Sequence, residues 1–122
     1  MTVISSNYLF NMATESEFAQ FITDQLSGLD TVTTRRMFGE YALYANGKVV
    51  GLICDNRLFV KPTEAGRTFI GDPVMAPAFS GAKPSYLFED GLDDRRWLAE
   101  LISLTANELP PPKIRKRKVK FE

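Results

Sequence analysis

The chain is 122 residues long, 44% hydrophobic and 25% charged, which suits one globular domain that buries a core without covalent staples. One cysteine and no histidine exclude an internal disulfide, histidine metal sites and the Ser-His and Cys-His nucleophile pairs. Zero net charge hides an asymmetry: residues 113–122 hold six basic and one acidic group, +5, against nine basic and fourteen acidic, −5, in the other 112 residues.

Met1 to Ala13 has neither a basic n-region nor an apolar h-region, so it is no secretory signal. Met12 stands just before a helix signal, and residues 1–13 read as a disordered or dispensable extension. Thr14 and Glu17 have capping-box spacing, and Phe18, Phe21, Ile22, Leu26 and Leu29 recur at helical period. Gly28 marks a stop. Four strand-like segments follow: Val32 to Phe38, Tyr41 to Ala45, Lys48 to Cys54, and Arg57 to Lys61. Asn46-Gly47 is a strong hairpin signal because both residues tolerate positive φ, and Asp55-Asn56 is a compatible second turn. Pro62-Thr63 opens a short helix to Ile70, stopped by Gly71. Residues 71–84, with three prolines and two glycines, read as a long ordered loop. Ser85 to Phe88 fits a last strand. Asp93 or Asp94 caps a final helix whose stripe is Trp97, Leu98, Leu101, Ile102, Thr105 and Leu109, ended by three prolines. No window approaches the ~18 apolar residues of a membrane span, and a cytoplasmic location is the default expectation.

The expected fold is α+β: a two-layer sandwich of an antiparallel meander with helices on one face, in the order α-β-β-β-β-α-β-α. Unbroken two-residue turns set a register in which Tyr44 faces Val49, Ala42 and Val60 face Gly51, and Ile53 faces Leu58. Those residues are assigned to the core beneath the helices. The opposite face then carries Tyr41, Leu43, Val50, Leu52 and Phe59, too apolar for solvated surface and hence a candidate interface.

Catalytic chemistry is scarce. Cys54 lies mid-strand with no base in sight and reads as a small buried apolar residue. Glu89-Asp90 and Asp93-Asp94 are more simply helix-end charges than paired catalytic carboxylates. Gly81-Ala82-Lys83-Pro84-Ser85 has residue types of a phosphate loop but the wrong order, since a proline follows the lysine. Arg35 and Arg36, adjacent on a strand, point to opposite faces. With Lys83 they are the candidate contacts for an anion or a partner, although pairing with a body carboxylate is the simpler reading. Lys113, Arg115, Lys116, Arg117, Lys118 and Lys120 could bind nucleic acid without sequence preference, or remain a solvated end. No metal, cofactor or catalytic site is expected.

Arg35-Arg36-Met37-Phe38-Gly39-Glu40-Tyr41-Ala42-Leu43-Tyr44, Gly51-Leu52-Ile53-Cys54-Asp55 and Leu58-Phe59-Val60-Lys61 resemble, in order, the N-terminal domain of the TfoX/Sxy family of bacterial competence regulators. Gly81-Ala82-Lys83-Pro84-Ser85-Tyr86 and Trp97-Leu98-Ala99-Glu100-Leu101-Ile102 extend the match, over roughly residues 14–112. The resemblance implies a secretion-chaperone-like α+β fold and a regulatory, non-enzymatic role linked to DNA-uptake genes through partner transcription machinery. The full regulators append a second domain, and this chain has a basic tail in that place. The expectation is an adaptor acting as a homodimer or on a protein partner, with possible nucleic-acid contact and no membrane. The alternative is a small-molecule or anion-binding module built on residues 71–84 with Arg35 or Arg36.

Overall fold

The computed structural model describes residues 16–111. The chain runs α1 (Ser16–Gln25), β1 (Val32–Met37), β2 (Glu40–Ala45), β3 (Lys48–Cys54), β4 (Arg57–Val60), α2 (Glu64–Ile70), β5 (Met75–Pro77), β6 (Pro84–Phe88) and α3 (Arg95–Glu108). The strands form one antiparallel sheet in the order β1-β2-β3-β4-β6-β5. Ile22 and Leu26 from the α1 region and Leu98, Leu101 and Ile102 of α3 pack with Leu43, Ile53, Leu58 and Val60 into one core. The α+β class and element order are those expected. One element is added, because β5 lies in the stretch expected as a loop. Three residues ending in a proline give almost no strand signal, and pairing with β6 is what makes them a strand.

Local chemistry explains the elements. The three turns of the meander, Phe38-Gly39, Asn46-Gly47 and Asp55-Asn56, all have positive φ at both positions. That mirror-type geometry matches the twist of adjoining strands. Thr63 caps α2, its Oγ1 accepting from Gly66 N at 2.9 Å, and Gly71 ends it at φ 95°. Asp94 caps α3 by accepting from Trp97 N at 3.1 Å. At the negative end of α3, Lys48 Nζ donates to the Ala106 and Leu109 carbonyls at 2.6 and 2.9 Å. Thr14, the expected cap of α1, lies outside the described residues. Phe21 departs from its expected stripe and is exposed, resting against Phe18.

The register differs from the expected one at a single step. Leu43 pairs Gly51 but Tyr44 pairs Val49, so Val50 is an extra residue in β3, a β-bulge. Beyond the bulge every β2 side chain changes face. Tyr41, Leu43 and Ala45 therefore join the helix-covered core, while Ala42 and Tyr44 lie on the outer face. Gly51 permits this: a Cβ there would overlap the Phe59 carbonyl oxygen of β4. Among the described residues no helix is long and apolar enough to cross a membrane.

Candidate docking site at the first hairpin tip

Phe38 is the feature of the surface hardest to explain by folding alone. It occupies the first turn position at φ 51°, a left-handed backbone that phenylalanine disfavours, and its side chain is fully exposed. The two later turns place Asn46, Asp55 and Asn56 in the same conformation, residues whose short polar side chains accept it. Only the first turn spends an aromatic there, and it gains no burial for doing so.

Beside this turn the outer sheet face opens into a pocket of about 340 Å3, lined by Met37, Phe38, Tyr41, Leu52, Cys54, Ala78 and Phe79, with Glu40 as its one acidic group. Phe79 arrives on the loop between β5 and β6, which closes on itself through Ala82 N donating to Phe79 O at 3.0 Å. Met37 and Phe79 are both exposed, so with Phe38 they surround the pocket with apolar surface open to solvent. Glu40 is occupied: its Oε1 accepts from Asp55 N at 3.1 Å and ties the first turn to the third.

Burial pushes the Cys54 thiol up to about 11, with Glu40 and Asp55 adding to the shift and Arg57 opposing it. The thiol therefore stays protonated. Among the described residues no group of side chains could hold a metal ion.

Arg35 and Arg36 do point to opposite faces. Arg35 pairs with Ala42 and its guanidinium lies 6.0 Å from the Tyr44 ring, while Arg36 pairs with Tyr41 and lies 5.8 Å from that ring. Both are exposed, and neither makes an ion pair among the described residues. Lys83 is exposed on the loop, and none of the three lines the pocket, so the structure does not gather them into one anion site. Of the candidate interface, Leu43 and Val50 are buried in the core, a correction that follows from the bulge, and Tyr41 packs in the core too while also lining the pocket. Leu52 lines the pocket. Phe59 does lie on the outer face, yet it is only 1% exposed, with the Arg57 guanidinium 5.4 Å from its ring. Arg57 is held there by Asp55 at 3.7 Å and Glu89 at 3.6 Å. The basic residues Lys113 to Lys120 lie outside the described residues.

Sequence reasoning passed over Phe38 and Phe79. The available signal was Phe38-Gly39 between two strand-like runs, which a two-residue hairpin turn explains better than a strand end does.

A family model described as the TfoX N-terminal domain matches residues 24–109. A protein of Spirochaeta aurantia described as "Uncharacterized 12.7 kDa protein in trpE 5'region" is 44% identical over 109 residues, 89% of this chain and 95% of the relative.

Proposed function

The chain belongs to the TfoX N-terminal domain family, and from that premise we propose a non-enzymatic, competence-regulator-like adaptor domain that acts in the cytoplasm by binding another protein. The observation that carries this reading is Phe38, a fully exposed aromatic held in a disfavoured backbone beside an apolar pocket. Large apolar side chains around a concave patch are the usual anchors of protein interfaces. Burial of the Cys54 thiol and the lack of histidine support a binding role over a catalytic one. A second copy meeting the same patch gives the homodimeric form of the reading.

The test compares the wild-type chain with Phe38→Asp and Phe79→Asp as baits in the native cytoplasm, with light scattering on each. A protein retained by the wild type and lost by both variants, at unchanged circular dichroism, is the expected result. The same captured set and the same mass for all three would overturn the docking site.

The charge asymmetry favours a second reading, nucleic-acid contact through residues 113–122, where six cations face one acid.

A further inference from the structure

The sheet has two edges, and they are unlike. β5 is three residues long and ends in Pro77, which has no N–H to offer a neighbour. β1 is six residues long, contains no proline, and pairs with β2 through an uninterrupted register. Among the described residues it has a neighbour on one side only. Its start is pinned: Thr31 Oγ1 donates to Asn46 Oδ1 at 2.6 Å and accepts from Asn46 N at 3.1 Å. β1 is thus a preformed row of backbone donors and acceptors, unpaired on its outer side among the described residues, that leads to the Phe38 turn.

Charge selects what can pair there. Val32 to Met37 contains two arginines and no acid. Arg35 and Arg36 are exposed, lack ion-pair partners among the described residues, and are steadied over Tyr44 and Tyr41 on opposite faces. A strand laid along β1 would run its side chains past both guanidiniums, one on each face. A second copy in that position would place four arginines on one two-stranded ribbon, an arrangement that like charges destabilise. An extended segment with carboxylates on both faces would pair with both arginines instead.

We infer that β1 accepts, by strand addition, an extended acidic segment of a partner protein whose apolar or aromatic residue reaches the pocket beside Phe38. The inference rests on the proposed docking function and specifies the partner's chemistry. Arg35 shares the outer face with Met37 two residues on, so cation and pocket lie along one side of the added strand. Backbone pairing supplies affinity, the arginines set sign and register, and the pocket fixes the end.

The probe is a short valine-rich peptide with two adjacent glutamates, one for each face, ending in phenylalanine, titrated into the isotope-labelled full chain. Three controls accompany it: the same peptide with lysine for glutamate, the same with alternate amides N-methylated, and the Arg35→Glu/Arg36→Glu variant. Shifted and exchange-protected amides within Val32 to Met37 are expected, with about tenfold weaker binding for the lysine peptide and for the variant. Equal binding of the N-methylated peptide, or shifts confined to Lys113 to Lys120, would mean charge alone and overturn the inference. Protection of β1 amides in a dimer without peptide would overturn it too, by giving the edge to a second copy. If Phe38→Asp loses the captured partner and Arg35→Glu/Arg36→Glu retains it, the edge-strand inference fails and the docking patch stands. If neither loses it, both fail.

Discussion

Phe38, in the first turn, and Gly51, in β3, carry opposite relations between stability and role. At Phe38 the backbone asks for asparagine or glycine, and the side chain is unburied, so nothing in the fold requires the aromatic. Phe38→Asn should therefore stabilise the domain by about 0.5–1 kcal/mol, raising Tm by a few degrees, while weakening capture of the partner. Thermal unfolding followed by Trp97, the single tryptophan, packed on Phe69 and Phe88 at 5.4 and 5.5 Å, reads the first effect. A lower Tm would mean that Phe38 has a structural partner. At Gly51 the fold makes the demand: Gly51→Ala would drive a methyl into the Phe59 carbonyl and should cost about 2 kcal/mol. A variant as stable as the wild type would show that β3 and β4 can separate without loss. Neither residue was legible from propensity. Phenylalanine favours strands, so Phe38 reads as a strand end, and an interior glycine signals a bulge without giving its position.

At the scale of elements, caps and turns were legible and the face assignment was not. Thr63, Gly71, Asp94, Asn46-Gly47 and Asp55-Asn56 act through chemistry local to a few residues, so their roles can be read directly. The bulge depends on how close β4 comes to Gly51, a contact between strands, and one extra residue is enough to turn β2 over. Two long-range clamps were likewise out of reach. Lys48 closes α3, and the Glu108 carboxylate on α3 accepts from Glu64 N and Ala65 N, both at 2.9 Å, at the start of α2. Those two backbone bonds hold the Glu108 carboxyl below its ordinary 4.5. A lowered folded-state value means stability that is present above the unfolded value and lost as pH falls through the folded one. The group is solvent-exposed, so the effect is small. Wild type should lose slightly more Tm than Glu108→Gln on acidification from pH 6 to about pH 3, and parallel curves would remove Glu108 from the acid response.

For the whole molecule, the sheet has one face under the helices and one closed in part by its own chain, with exposed apolar side chains at the first hairpin tip and two exposed arginines on the β1 edge. The meander's two apolar faces were evident from the alternation of its strands. That the second face is closed in part by Arg57 over Phe59 and by the Phe79 loop could not be read from alternation, because both covers come from segments that meet it only after folding. The same scale separates the body from its tail. An acidic body of −5 repels a polyanion, so any duplex DNA binding must come from the +5 of residues 113–122. Six cations release counterions in proportion, giving a slope of log affinity against log salt no steeper than about −5. Anisotropy of labelled duplex DNA should show that salt dependence for the full chain. It should show no binding after deletion of residues 113–122, while capture of the protein partner through Phe38 persists. DNA affinity that survives the deletion would move the contact to Arg35 and Arg36, where it would compete directly with an acidic strand for the same edge.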